Sequence, residues 1–269
     1  MTGQASARGS LPSAAAPLIE ARAVTKRFGG LTALTEVSLS VGVGEIYGLI
    51  GPNGAGKTTF FNCLTGLYHP EAGEIRLAGR GLTGLKPHAV TAAGVARTFQ
   101  NIRLFANMTV IENVMVGRHP RTRSGVVGAI LRGPGTRAEE AAIRERALAL
   151  LEYVGLTPRQ ANLARHLAYG DQRRLEIARA LATEPRLLAL DEPAAGMNAT
   201  ETLALRALLE RVRGDGVTLL LIEHDVGLVM GLCDRVGVLD YGRMIAEGPP
   251  AEVQRDPAVV AAYLGGALP

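Results

Sequence analysis

The chain has 269 residues, of which 47% are hydrophobic and 20% are charged. This composition argues against disorder over most of the length and suits one large α/β domain or a core with a subdomain. The formal net charge of +4 favours acidic partners only weakly, and two isolated cysteines give no support to a disulfide framework or a zinc site.

The chain termini and apolar runs bear on membrane insertion. Residues 1–16 are rich in Ala, Gly and Ser and lack the apolar core of a signal peptide, so we predict a flexible tail. No stretch approaches the roughly 18 apolar residues that span a bilayer. If the protein works at a membrane, we expect it to be a peripheral subunit.

The first third of the chain contains short apolar runs. Residues 18–28 and 37–43 predict strands of an edge sheet, and residues 45–50 predict a buried strand that ends in a glycine-rich turn. A helical pattern runs from Lys57 to Leu67, and residues 74–77 start another strand.

The glycine-rich turn fits the phosphate-binding pattern G-x-x-x-x-G-K-[ST]. Glycines let backbone N–H groups surround phosphate oxygens, and the following helix directs its positive end at the same anion. Lys57 is expected to reach the β- and γ-phosphates, and Thr58 to bind Mg²⁺ through its hydroxyl. The loop comprises Gly51, Pro52, Asn53, Gly54, Ala55, Gly56, Lys57 and Thr58.

The middle of the chain, residues 100–172, lacks strand alternation and is predicted to be mostly helical, with its best helix at 138–154. Residues 118–137 carry five arginines, several glycines and no acidic residue. This basic segment is interpreted as a solvated surface insertion, or as a loop near lipid headgroups or a partner subunit.

The last third alternates strand and helix, the rhythm of a parallel sheet. Asn198 and Glu201 can cap a helix whose apolar face holds four aliphatic residues, and the strand at 186–190 runs into Asp191 and Glu192. At the carboxyl end of a parallel strand, Asp191 can bind Mg²⁺ beside the P-loop. Strand side chains alternate, so Glu192 is expected to activate water as the general base.

The motifs, in this order, resemble one family, the ABC ATPases, over about residues 18–265. The distinctive element is the segment 167–171, which is similar to the family signature Leu-Ser-Gly-Gly-Gln and which we call the signature loop. By resemblance this loop binds the γ-phosphate of ATP held by a second ATPase subunit. The signature loop consists of Leu167, Ala168, Tyr169, Gly170 and Asp171.

The resemblance implies a P-loop RecA-like α/β core with an antiparallel β subdomain and an inserted α-helical subdomain. The implied division is a tail at 1–16, the first part of the nucleotide-binding core at 17–99, and a helical subdomain at 100–172 with the basic insertion at 118–137. The second part of the core follows at 173–253, and a C-terminal helix at 254–269.

The resemblance also implies site residues. Phe28 matches the aromatic that stacks on adenine, Gln100 matches the glutamine that senses Mg²⁺ and the attacking water, and His224 matches the histidine at the γ-phosphate. The implied catalytic residues are Lys57, Gln100, Glu192 and His224, and the implied metal residues are Thr58, Gln100 and Asp191. The implied ATP-binding residues are Phe28, Gly51, Pro52, Asn53, Gly54, Ala55, Gly56, Lys57, Thr58 and Thr59.

Several positions depart from the family pattern. Ala168, Tyr169 and Asp171 replace the serine, first glycine and glutamine of the signature, and Asn198 stands where aspartate is usual. With these departures, the runs at 97–105, 112–119, 167–179 and 191–198 resemble the branched-chain amino-acid uptake subfamily, in particular its longer ATPase.

The subfamily resemblance implies an importer that uses ATP and Mg²⁺. Its implied partners are a second ATPase subunit in a heterodimer, two membrane permeases and, indirectly, a periplasmic substrate-binding protein, with no nucleic acid. The implied location is the cytoplasmic face of the inner membrane, where the subunit is peripheral.

Alternative functions remain open at this stage. The same machine could import urea, amides or aromatic acids, because other subunits choose the cargo. A non-transport ABC ATPase acting on nucleic acid or ribosomes is disfavoured by the single P-loop and the lack of sustained heptads. A module that binds ATP without hydrolysis conflicts with the presence of Lys57, Asp191, Glu192 and His224.

Overall fold

The protein is described from a computed structural model, and the structure describes residues 16–121 and 134–264. The strands are β1 (Ile19–Phe28), β2 (Leu31–Val41), β3 (Ile46–Ile50), β4 (Ala72–Leu77), β5 (Arg80–Gly81), β6 (Val95–Arg97), β7 (Leu187–Asp191), β8 (Thr218–Ile222), β9 (Arg235–Asp240) and β10 (Arg243–Gly248). The α-helices are α1 (Lys57–Leu64), α2 (Pro87–Ala93), α3 (Val110–Gly117), α4 (Pro134–Tyr153), α5 (Tyr169–Leu181), α6 (Ala199–Gly214), α7 (Val226–Leu232), α8 (Pro250–Val253) and α9 (Pro257–Leu264).

The described strands form two sheets. One has the order β10-β9-β3-β8-β7-β6 and is parallel except for β10, which pairs antiparallel with β9. The other is antiparallel, with the order β2-β1-β4-β5. The predicted α/β fold with an antiparallel sheet is confirmed.

The central strands of the parallel sheet are buried on both faces, as continuous aliphatic runs predict. Their side chains alternate between two cores. Ile46 and Ile50 of β3 join the core packed by α3, α4, α5 and α6, whereas Tyr47 and Leu49 face the core shared with the antiparallel sheet and α1. This arrangement places the carboxyl ends of β3, β7 and β8 side by side.

Several predicted boundaries shift. The helix predicted to reach Leu67 ends at Leu64, because Gly66 takes a φ of +74° and its N–H bonds to the Cys63 carbonyl. The strand predicted at 37–43 begins at Leu31 and ends at Val41. The three-residue strand β6 and the strand β10 were not predicted; β6 is too short to show a period.

The capping of α6 was predicted and is confirmed. Asn198 Oδ1 accepts a hydrogen bond from the Glu201 N–H at 3.0 Å, and Glu201 Oε2 accepts one from the Asn198 N–H at 3.0 Å. The predicted apolar face of α6 is buried, and it consists of Leu205, Leu208, Leu209 and Val212.

Between β6 and α5 the elements are helical. Helices α3 and α4 are joined to short 3-10 helices at His119–Arg121, Thr157–Arg159 and Ala164–His166. The predicted tail and most of the basic insertion lie outside the described residues. At the start of that insertion, Arg118 donates to Glu184 Oε1 at 2.6 Å. None of the described helices is both long and apolar enough to cross a membrane.

Candidate functional site

The predicted P-loop joins β3 to α1, and its glycines are required by shape. At Gly51 φ is +148°, and a Cβ there would lie 2.0 Å from the Leu239 carbonyl oxygen. At Gly56 φ is +104°, and a Cβ would lie 2.7 Å from the Ala33 carbonyl oxygen. No other residue type fits either position without displacing backbone. These two glycines let the backbone turn tightly at the start of α1, where helix N–H groups favour an anion.

Lys57 is the buried cation of this loop. Its Nζ donates to the carbonyl oxygens of Gly51 at 2.6 Å and Pro52 at 3.0 Å. Burial lowers the pKa of Lys57, and the nearby carboxylates of Glu192 and Asp191 oppose that shift. The amine is thus held beside the loop, ready to exchange two carbonyl partners for an anionic ligand.

A cavity of about 480 Å³ opens above the P-loop. Phe28 lies at its rim, 42% exposed, and its ring contacts Tyr68 edge-on with centroids 5.2 Å apart. An exposed ring face beside an anion-binding loop suits a flat base attached to phosphates. The predicted residues that line the cavity are Phe28, Asn53, Gly54, Ala55, Gly56, Lys57, Thr58, Thr59, Gln100 and Glu192.

Sequence reasoning missed Leu31 and Tyr241, which also line this cavity. Both are strongly exposed, at 68% and 87%. Tyr241 takes a φ of +41°, and the next residue, Gly242, donates its N–H to the Ala55 carbonyl at 3.0 Å. The available signal was local, a Tyr-Gly pair after a buried strand, but nothing in the sequence brings that turn to the P-loop.

Glu192 lies where β7 ends, and its backbone is constrained. Its φ of +49° is unusual for a residue with a side chain, and its N–H donates to the Ile222 carbonyl at 2.9 Å. Gln100 Nε2 donates to Glu192 Oε2 at 2.8 Å, and His224 Nδ1 lies 3.5 Å from Glu192 Oε1. Three predicted catalytic side chains therefore meet at one carboxylate beside the cavity.

Glu223, the residue before His224, was not predicted as a site residue. It is 1% exposed and accepts hydrogen bonds from the N–H groups of Ala194 at 2.8 Å and His224 at 3.3 Å. Burial raises the pKa of Glu223, and these N–H donors oppose that shift. Its carboxylate ties the turn after Glu192 to the turn after β8.

Asp191 is buried in an ion pair that the sequence did not predict. It is 2% exposed, and its Oδ2 accepts from Arg97 Nη2 at 2.7 Å. Arg97 also donates to Asn62 Oδ1 at 2.6 Å and Thr65 Oγ1 at 3.2 Å, and its guanidinium lies 4.9 Å from the Phe99 ring centroid. Asp191 is close enough to Lys57 to raise the pKa of that lysine, but it does not line the cavity.

The described side chains offer few oxygen ligands for Mg²⁺, so phosphate oxygens of a bound ligand would have to supply others. Among the residues that the structure describes, no group of three or more His, Cys, Asp or Glu side chains could hold a metal. Mg²⁺ commonly uses one or two protein oxygens together with phosphate oxygens and water. The exposed Thr58 hydroxyl lines the cavity, and Asp191 keeps one oxygen free of Arg97.

The signature loop lies away from this cavity. Tyr169, Gly170 and Asp171 form the first turn of α5, and Ala168 at its N-cap offers no side-chain hydrogen bond. Asp171 is 7% exposed and pairs with Arg174 and, at 2.8 Å, with Arg159. Its carboxylate is thus held by cations of its own subunit, while the N–H groups at the start of α5 lack a side-chain cap.

Comparison with known proteins identifies the family. The model of the ABC transporter family matches residues 34–195. The chain belongs to the ABC transporter ATP-binding family. Members of this family are ATPases, so this ABC ATPase hydrolyses ATP. A second model, described as the branched-chain amino acid ATP-binding cassette transporter, matches residues 243–268.

Individual relatives agree with this assignment. The ABC ATPase is 48% identical to the high-affinity branched-chain amino acid transport ATP-binding protein LivG of Salmonella typhimurium, over 93% of this chain and 99% of that protein. It is 47% identical to the corresponding protein BraF of Pseudomonas aeruginosa, over the same shares. A nucleotide-free ATP-binding cassette from an ABC transporter has a TM-score of 0.81 at 31% identity, covering 92% of this chain and 98% of the other.

Proposed function

We propose that this ABC ATPase drives the import of branched-chain amino acids. The observation that carries the proposal is the match of residues 243–268 to the branched-chain family model, because this segment lies outside the general ATPase motifs. Relatives named for branched-chain amino acid transport, at 47% to 48% identity over nearly their whole length, support it.

ATP binds in the 480 Å³ cavity in this proposal. Phe28 stacks on the base, and the P-loop N–H groups and Lys57 hold the phosphates. Lys57 then leaves the Gly51 and Pro52 carbonyls for phosphate oxygens. Thr58, supported by Gln100 and Asp191, would hold Mg²⁺, and the bound ion would neutralise negative charge on the phosphate oxygens.

Glu192 acts as the general base. Its carboxylate lines the cavity and already binds Gln100 at 2.8 Å, which orients one oxygen and leaves the other toward His224 and the site of attack. His224 and Lys57 then stabilise the charge that develops on the γ-phosphate. Glu223 fixes the backbone from which His224 extends.

A second ATPase subunit completes the site. The signature loop of this chain lies outside its own cavity, so its uncapped N–H groups would serve ATP bound by the partner. Asp171, held by Arg159 and Arg174, shapes the loop and leaves the phosphate to backbone donors. A heterodimer with a shorter ATPase is proposed.

The permeases dock beside the loop that carries Gln100. A groove of about 370 Å³ there exposes Phe105 (47%) and Val116 (37%), with Arg103 and Arg179 on its walls. An apolar floor with cationic walls suits an amphipathic segment with acidic residues. The ATPase is then peripheral on the cytoplasmic face of the inner membrane, and a periplasmic binding protein delivers the cargo to the permeases.

The test is uptake of labelled leucine, isoleucine and valine in source cells that lack this chain. Wild type and Lys86→Ala, an exposed lysine outside the cavity, should restore uptake, whereas Lys57→Ala should not. If uptake never depends on the chain, the branched-chain assignment is wrong, and labelled urea, amides and aromatic acids are tested in the same cells.

A further inference from the structure

Helix α5, which begins with the signature loop, holds the backbone of the loop that carries Gln100. We call residues 98–109, between β6 and α3, the Gln100 loop. Arg173 Nη1 on α5 donates to the Phe99 carbonyl at 2.6 Å, and its Nη2 donates to the Gln100 carbonyl. One guanidinium therefore fixes two consecutive carbonyl groups, which its planar fork allows.

Glu176, one turn further along α5, holds the N–H groups of the same loop. Its Oε1 accepts from the N–H of Phe99 at 3.3 Å and of Arg103 at 3.4 Å. Its Oε2 pairs with Arg173 Nη1 at 3.2 Å. Both residues are 1% exposed. The pair thus supplies both donors and acceptors to a stretch of backbone that belongs to neither a helix nor a strand.

A buried ion pair is a poor device for stability alone, because apolar residues of similar volume often stabilise as well or better. Here the two charges also make four contacts with backbone groups of the Gln100 loop. Gln100 in turn donates to Glu192 at 2.8 Å. The position of α5 therefore determines where the Gln100 side chain meets Glu192.

The same arginine contacts the signature loop. Arg173 Nη2 donates to Tyr169 Oη at 3.1 Å, and its guanidinium lies 5.5 Å from the Tyr169 ring centroid. A continuous set of contacts thus runs from Tyr169 through Arg173 and Gln100 to Glu192. Tyr169 belongs to the loop proposed to serve the partner's ATP, whereas Glu192 serves the ATP of this chain.

We propose that Arg173 and Glu176 are positioning residues that hold the backbone of the Gln100 loop against α5 and thereby place the Gln100 side chain against Glu192. This inference rests on the proposed catalytic roles of Gln100 and Glu192.

The first test measures the loop itself. Arg173→Lys keeps the charge beside Glu176 but cannot hold two carbonyls with a planar fork. Arg173→Met combined with Glu176→Gln removes both charges. This double variant should remain folded even if a single substitution, by leaving one buried charge unpaired, unfolds the protein. Amide hydrogen exchange should rise about 10-fold at residues 98–104 in both variants and stay unchanged in α3. Unchanged exchange at 98–104 would overturn the proposal.

The second test asks whether Arg173 acts through Gln100. The hydrolysis rate of labelled ATP is measured under single-turnover conditions, with the full chain and its ATPase partner, so that slow variants can be compared. Arg173→Lys should lower the hydrolysis rate about 10-fold with little change in the ATP concentration for half saturation. In a Gln100→Ala background the same change should have no further effect. An equal loss in both backgrounds would show that Arg173 acts by another route and overturn the proposal.

Two further variants separate the possible failures. Arg213→Met removes an exposed ion pair with Asp234 and should leave hydrolysis unchanged in either background. Glu192→Gln should lower hydrolysis at least 100-fold; hydrolysis near the wild-type rate would show that the proposed base is wrong. If Glu192→Gln is inactive and Arg173→Lys hydrolyses ATP at the wild-type rate, the base stands and the positioning role fails.

Discussion

Replacing Arg97 with Met removes the cation from the buried Arg97–Asp191 ion pair. Asp191 and Arg97 have side chains that are only 3% and 6% exposed, so the Asp191 carboxylate would be left in the interior without its partner. Breaking a buried pair in this way costs about 3–5 kcal/mol. For a chain of this size the melting temperature should fall by about 10 °C.

The assay is urea unfolding followed by circular dichroism and by fluorescence of a bound nucleotide analogue, with coincident transitions as the check on two-state behaviour. Asp191→Asn combined with Arg97→Met removes both charges and should recover most of the loss. The control is Arg213→Met, whose ion pair with Asp234 is 39% and 46% exposed and should contribute about 0–1 kcal/mol.

If Arg97→Met costs no more than Arg213→Met, the Asp191 carboxylate does not depend on Arg97 and the reasoning is refuted. The reasoning would also be refuted if the double variant, Arg97→Met with Asp191→Asn, had a lower free energy of unfolding than Arg97→Met alone. In that case groups other than Arg97 would stabilise the Asp191 carboxylate. Its proposed role at Mg²⁺ would then require a different conformation of the site.

Three further predictions concern the site directly. Glu192→Gln should keep ATP binding and lower hydrolysis at least 100-fold, measured by phosphate release, because the amide cannot accept a proton from water; hydrolysis near the wild-type rate would contradict the base role. Gly51→Ala should abolish binding of a fluorescent ATP analogue, because its Cβ would lie 2.0 Å from the Leu239 oxygen, whereas Gly79→Ala, also at a positive φ (+79°) but in open space, should bind normally. Phe28→Ala should weaken ATP binding about 10-fold in calorimetry, and Phe28→Tyr, which keeps the ring, should not; equal losses would exclude stacking.

Part of the site was predictable because its residues are close together in the chain. The P-loop is eight consecutive residues whose glycines and lysine match the phosphate-binding pattern. Asp191 and Glu192 follow a strand that is recognisable from its aliphatic run. The cap of α6 likewise needs only Asn198 and Glu201, three residues apart. Such local patterns determine a short segment whatever the rest of the chain does.

Other features depend on which distant segments become neighbours. Arg97 and Asp191 are 94 residues apart and meet only because β6 pairs with β7. This pairing could not be predicted, because a three-residue strand is too short to show an alternating pattern. Tyr241 reaches the cavity because its turn packs on the P-loop.

The sequence by itself therefore determined the family and predicted the phosphate-binding loop and the carboxylates, because each rests on contiguous residues with a chemical requirement. The tertiary structure alone decided the partners of those groups: Arg97 for Asp191, Gln100 and His224 for Glu192, and α5 for the Gln100 loop. Each of these polar groups needs a hydrogen-bonding or ionic partner, and only the packed fold determines which one is within reach.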